Sequence, residues 1–252
     1  MKIIMTKPSI ASEIAPTGRL RVAINLGNPV LAGKNPATGA LCGISVDLAR
    51  ELAMRLGVDA ELLDFDGAGK SVEAVRAKQA DLGFFAIDPV RGEGVSFTPP
   101  YVVIEGGYLV PTHSLIVKNE EVDQAAHRVV VGAGSAYDLY LTRQLKHAQI
   151  VRAPTSPSVV PTFLDHQLEV AAGVKQQLQA DALQFPGVRL LPGSFMTIYQ
   201  AMGIPAARSP AALGFVSDFI EEMKATGIVA QLLRRHHIEG AVVAPPGYPP
   251  HG

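Results

Sequence analysis

Short apolar runs alternate along this chain with segments whose apolar residues recur every three or four positions. That alternation restricts the fold to an α/β class: runs of about 4–8 apolar residues are strand-sized, and the periodicity between them is helical. Residues 19–25 form a near-continuous apolar run, as suits a strand buried on both faces. Residues 61–65, 82–87, 128–131, 150–152, 168–172 and 188–191 read as further strands. In residues 45–56, Val46, Ala49, Leu52, Ala53 and Leu56 share a helical face that Gly57 ends. Ser71 is expected to cap a short helix through Val72, Val75 and Ala77. Helices are also predicted over 135–145, 156–164 (with Pro161 as a defect), 175–183, 211–226 after the Ser209-Pro210 cap, and 228–236. The tail, with Pro245, Pro246, Pro249 and Pro250, reads as loose.

Tyr108 to Val110 followed by Pro111-Thr112-His113-Ser114 reads as a strand leaving for a second lobe, and residues 195–205 read as the return. Two lobes are therefore expected: residues 1–111 with 202–252, and residues 112–201.

Composition narrows the function. A net charge of −1 over 252 residues gives no general attraction to nucleic acid or to an anionic membrane. No apolar run reaches the roughly 18 residues of a membrane span, so no membrane insertion is expected. One cysteine, Cys42, excludes an internal disulfide and reads as a partly buried, inert thiol. The apolar run after Lys2 stops at Thr6-Lys7-Pro8, short of the roughly 7–15 residues of a secretory signal. The chain as written is thus expected in the cytoplasm, with the periplasm as the alternative if a leader has been removed.

The strand at 82–87 ends on Asp88-Pro89, a cap followed by a residue suited to the first helical position. This places Arg91 one turn into a helix, beside the carboxyl end of the strand, where open α/β sheets bind ligands. Its planar fork suits a carboxylate or phosphate; the alternative is a surface pair with Glu93. Gly132-Ala133-Gly134-Ser135 joins a strand to a helix start, so its N–H groups and the Ser135 hydroxyl offer a small-anion site or a plain tight turn. A dinucleotide site would want glycine where Tyr137 stands, and Asp66-Gly67-Ala68-Gly69-Lys70-Ser71 lacks the first P-loop glycine, having Asp64 there. His236 and His237 are adjacent, point apart, and read as a solvated helix end rather than metal ligands. No catalytic or metal-binding residue is assigned, and no cofactor is implied.

Ordered motifs carry a family resemblance. Ala80-Asp81-Leu82, Asp88-Pro89-Val90-Arg91 and Phe97-Thr98-Pro99-Pro100-Tyr101 resemble the core of the bacterial extracellular solute-binding proteins of family 3. Upstream, Gly18-Arg19-Leu20-Arg21-Val22-Ala23 and Gly43-Ile44-Ser45-Val46-Asp47-Leu48-Ala49 continue the likeness. Downstream, Val129-Val130-Val131-Gly132-Ala133-Gly134-Ser135 and Lys224-Ala225-Thr226-Gly227 extend it over roughly residues 18–236.

The resemblance implies a two-lobe, type II periplasmic-binding-protein-like fold with a ligand cleft between the lobes. It also implies capture of an amino acid or related small carboxylate for an ABC transporter permease. Arg91 and Ser135 would clamp the carboxylate, with Asn25, Ala86, Asp88 and Ala136 around them and Phe84, Phe85 and Tyr101 as apolar walls, Phe84 and Phe85 alternatively as core. Two departures stand out. The family's amine-binding aspartate falls on Val174, beside Lys175, and its aromatic-Pro-Pro-Phe loop is reduced to Asn28-Pro29. Glu105, near the expected crossing, is the acid left to meet an amine. Two alternatives stay open: an enzyme resembling cyclohexadienyl dehydratase, and a ligand-sensing module without a transporter.

Overall fold

A computed structural model describes residues 9–247. In chain order its elements are α1 (Ile10–Ile14), β1 (Arg19–Asn25), β2 (Gly33–Lys34), β3 (Leu41–Cys42), α2 (Ile44–Leu56), β4 (Asp59–Phe65), α3 (Ala68–Arg76), β5 (Leu82–Ala86), α4 (Pro89–Gly92) and β6 (Val95–Pro111). Then follow β7 (Arg128–Gly132), α5 (Ala136–Gln144), β8 (Gln149–Ala153), α6 (Val159–Asp165), β9 (Val170–Val174), α7 (Lys175–Gln184), β10 (Val188–Leu190), β11 (Met196–Pro205), α8 (Pro210–Ala225), α9 (Ile228–Arg235) and β12 (Val242–Val243).

The strands line up as β4-β1-β5-β11-β6-β9-β7-β8, with β10 and β12 also paired to β6. β1 runs parallel to β4 and β5, and β7 runs parallel to β8 and β9. β5 and β9 are buried at every residue, as parallel strands covered on both faces must be. β6 links the halves. Its residues from Val95 to Gly106 pair with β11, and Gly106 to Leu109 pair with β9, both antiparallel.

The same brace recurs in each half. The Arg21 side chain donates from Nε and Nη2 to Asp81 and from Nη2 to the Lys78 carbonyl, at 2.9, 2.8 and 3.0 Å. The Arg128 side chain repeats this on Glu169 and the Gln167 carbonyl, at 2.9, 2.8 and 2.7 Å. Lys78 and Gln167 both take positive φ, 58° and 48°, which turns their carbonyls toward the guanidinium. Each brace ties the first strand of its half to the acid that precedes the strand beside it.

Several expectations are corrected. Ser71 lies inside α3, which starts after Gly67; the Ser71 hydroxyl donates to the Ala68 carbonyl at 2.9 Å instead of capping. The strand expected at 108–110 is the end of the 17-residue β6. Pro99 and Pro100 sit within β6 where the β6–β11 register slips around Ala201, and a slip is where a missing N–H is tolerated. β9 begins two residues later than expected, and α1 was not foreseen.

The tail is not loose as far as Ala244. β12 pairs with Val102 and Val103, Ala244 is buried, and the ammonium of Lys224 donates to the carbonyls of Pro100 and Pro245 at 3.0 and 3.1 Å. Pro249 and Pro250, and the Met1 to Pro8 segment, lie outside the described residues. His236 is not a free helix end: its Nε2 is 2.7 Å from Asp47 Oδ2 on α2. Cys42 is half-buried on β3.

Candidate functional site

β5 stops at Ala86, and Asp88 caps α4 by accepting from the Val90 N–H at 2.9 Å, with Pro89 at the first helical position. This short corner turns Arg91 inward, where it is only 4% exposed. Its Nη1 donates to the Ala86 carbonyl at 3.1 Å, and its Nη2 reaches across to the Gly134 carbonyl at 3.0 Å. Among the described residues no carboxylate lies within ion-pairing distance of it. Burial pushes the guanidinium pKa down to about 10; Asp88 opposes this and the nearby Arg76 adds to it. The group is still a cation at neutral pH, buried with Asp88 acting on it only at a distance and no carboxylate paired to it, which is costly unless an anion joins it.

Gly134 lies on the turn between β7 and α5, with φ +68°. A Cβ there would sit 3.5 Å from the Gly69 Cα, so the two backbones approach closely across the cleft. Ser135 caps α5, its hydroxyl accepting from the Asp138 N–H at 3.0 Å. Asp138 in turn accepts from the Gly134 N–H at 2.8 Å and pairs with Arg152 at 3.0 Å, which fixes the turn. Burial raises the Tyr137 phenol against hydrogen bonds with Ser156 and Ser135.

These elements enclose a cavity of about 30 Å³. Asn25 ends β1 and Gly27 and Asn28 follow it; Ala68 comes from α3, and Phe84, Phe85 and Ala86 from β5. Arg91, Ser135, Ala136, Tyr137 and Ser156 complete one side, and Val174, Ile198 and Gln200 close it from β9 and β11. A larger hollow of about 540 Å³ lies between Pro111, His127 and Gly187. It is an open groove that contains neither Arg91 nor Ser135, so the chemistry points to the smaller space.

Of the residues singled out from the sequence, Asn25, Phe85, Ala86, Arg91, Ser135 and Ala136 line the cavity. Asp88, Tyr101 and Glu105 do not. Asp88 acts one step back: besides capping α4 it receives Arg143 Nη2 at 2.6 Å. Tyr101 is wholly buried, set edge-on to Phe84 with centroids 5.8 Å apart, and its burial raises the phenol pKa. Glu105 accepts from Lys175 at 2.9 Å and from the Ser194 hydroxyl at 3.1 Å. Its carboxyl is held below the usual range, first by the Lys175 hydrogen bond, so it is not a free acid facing a ligand.

Sequence reading missed Asn28 and Gln200 as wall residues. The signal for Gln200 was present: it is a lone polar residue in the otherwise apolar run Ile198 to Ile204, beside Tyr199. Among the described residues no group of three His, Cys, Asp or Glu could hold a metal ion. Among them, too, no helix is long and apolar enough to cross a membrane.

Solved structures share this fold. The solute receptor for L-cysteine of Neisseria gonorrhoeae is 21% identical, with 92% of this chain and 95% of that chain covered and a TM-score of 0.78. The amino acid ABC transporter substrate-binding protein AbpA from Streptococcus pneumoniae, bound to L-arginine, is 18% identical over 88% and 96%, with a TM-score of 0.76. The ancestral amino acid-binding protein AncCDT-1, a precursor of cyclohexadienyl dehydratase, is 21% identical over 90% and 99%, with a TM-score of 0.76. At these identities the likeness establishes the fold, the two-lobe type II periplasmic-binding-protein architecture. No curated protein sequence matches the chain. A family model matches residues 20–239, and the chain belongs to the bacterial extracellular solute-binding proteins, family 3.

Proposed function

We propose that this chain captures a small carboxylate-bearing solute, an amino acid or a close relative, in the cleft between its lobes, and presents it to an ABC-type transporter. One observation carries the reading: the buried Arg91 guanidinium, hydrogen-bonded only to the Ala86 and Gly134 carbonyls, lines a cavity and has no directly paired anion among the described residues. A ligand carboxylate supplies that anion, and the Ser135 hydroxyl on the other lobe adds a donor. The amino acids bound by fold relatives, L-cysteine and L-arginine, support the substrate class.

The lobes in this reading are residues 1–111 with 202–252, and residues 112–201, joined through β6 and β11. Closure about such a two-strand link is a hinge motion. Capture is preferred to catalysis because the cavity walls hold no carboxyl group to serve as a general acid. Calorimetry against a panel of amino acids and simple carboxylates tests the reading. Arg91→Ala should remove about 2–5 kcal/mol of binding, as truncation of one partner of a desolvated charge pair does. A ligand that binds wild type and Arg91→Ala equally well would overturn it.

A further inference from the structure

We propose that the cavity selects a small monocarboxylate whose second polar group is uncharged, a 2-hydroxy acid in class, and that Asn28 and Gln200 read that group. The proposal rests on the Arg91 carboxylate clamp and deepens it.

The first observation is what the walls lack. None of the cavity-lining residues is acidic. An α-ammonium would enter a confined space that already holds the Arg91 guanidinium and would meet no counter-charge on its walls. Val174 offers only an apolar wall, and the neighbouring Lys175 is already paired with Glu105 outside the cavity. Asp181 lines an adjoining space of about 10 Å³ and accepts from Gln177 Nε2 at 2.8 Å.

The second observation is what the walls offer. The side-chain amide oxygen of Asn28 is buried and accepts no hydrogen bond from the described residues. Gln200 is 6% exposed, lines the same cavity, and its side-chain amide makes no hydrogen bond among the described residues. A buried amide oxygen without a partner, as at Asn28, is expensive unless a ligand satisfies it, and the Gln200 amide is free to turn toward the same ligand. A hydroxyl does so in both directions: it donates to Asn28 Oδ1 and accepts from the Gln200 amide. Gln200 is also well placed for it, since it pairs with Ala86 on β5, and the Ala86 carbonyl holds Arg91.

The third observation is size. A water needs about 10–15 Å³ of such space, so the roughly 30 Å³ cavity has room for two or three waters, and a compact acid enters it with less displacement of the walls than a long one does.

The test uses the full chain and titration calorimetry with glycolate, L-lactate, D-lactate, propionate, glycine and L-alanine. Glycolate or a lactate should bind at least about tenfold more tightly than propionate, glycine and alanine, because a site built to bond a hydroxyl leaves its own groups unpaired without one. Asn28→Leu and Gln200→Leu should each collapse the lactate-to-propionate ratio to near unity. Asn28→Asp, which keeps the shape and adds a charge, should move the preference toward L-alanine and keeps the proposal testable if a leucine variant fails to fold. Unchanged selectivity in all three variants overturns the assignment of Asn28 and Gln200 and leaves the Arg91 clamp standing. Tighter binding of alanine than of lactate, lost in Asp181→Asn, overturns it in favour of an ammonium site at Asp181. Equal lactate affinity in wild type and Arg91→Ala overturns the clamp itself.

Discussion

Arg143 Nη2 lies 2.6 Å from Asp88 Oδ2, joining helix α5 to the residue that caps α4. Asp88 therefore has two tasks. Its capping bond to Val90 sets the corner that turns Arg91 inward, and its ion pair reaches the element that carries Ser135 at its start. The two proposed jaws of the clamp are thus tied beside the cavity as well as through it.

Arg143→Ala should loosen that tie without touching the ligand. The pair is asymmetric: the Asp88 side chain is 6% exposed and that of Arg143 is 39% exposed, so solvent screens it. The expected loss is on the order of 1 kcal/mol, at the upper end for a partly exposed pair. Scattering curves of the free protein should shift to a larger radius, and affinity for a confirmed carboxylate should fall. Identical curves and an unchanged Kd would mean that Arg143 plays no part in closure.

Arg91→Lys should not rescue carboxylate binding. Lysine keeps the charge but loses the planar fork that now spans the Ala86 and Gly134 carbonyls at 3.1 and 3.0 Å. A buried ammonium with its three donors cannot satisfy both carbonyls and a bidentate carboxylate in the same geometry. Most of the roughly 2–5 kcal/mol lost in the alanine variant should stay lost. Full affinity in Arg91→Lys, measured by calorimetry, would reduce the role of Arg91 to charge alone.

Gly132→Ala should damage the cavity wall. A Cβ at Gly132 would lie 2.7 Å from both Cα and Oγ of Ser156, and 2.8 Å from its backbone nitrogen. Those are mainly backbone neighbours and cannot swing away, so the segment that brings Ser156 to the cavity must shift. Overpacking of this kind costs about 1–3 kcal/mol. Urea melts should show the loss, and binding of any ligand that touches Ser156 should weaken with it. A stability equal to wild type would show that the β7 turn has slack.

What the sequence made legible was local chemistry. The Asp88-Pro89 corner and the inward Arg91 follow from a cap, a proline and a strand end within ten residues, and the structure builds them that way. The Ser135 cap on α5 is equally local. What stayed hidden was set by distant pairing. The long β6 strand accommodates Pro99 and Pro100 only where the β6–β11 register slips, which no local reading of residues 95–111 shows. Which way Gln200 points depends on that same register. Glu105 looked available because its partner, Lys175, is 70 residues away.

The acid limit of stability should depend on Glu169. The Arg128 side chain grips its carboxylate from Nε and Nη2 at 2.9 and 2.8 Å, and the Arg128 N–H donates to it at 2.8 Å. The Arg128 side-chain hydrogen bond is the main cause that holds the Glu169 pKa below its ordinary value. A carboxyl with a depressed folded-state pKa adds stability that is fully present above its unfolded value, about 4.3. That stability is lost as pH falls through the lower, folded-state value. Glu169→Gln should therefore be less stable than wild type at neutral pH. It should also lose less stability on acidification, so that the two curves converge toward the acid end. Denaturant melts at a series of pH values from neutral to about 3 read this directly, and parallel curves would show that the brace in the second half makes no pH-dependent contribution.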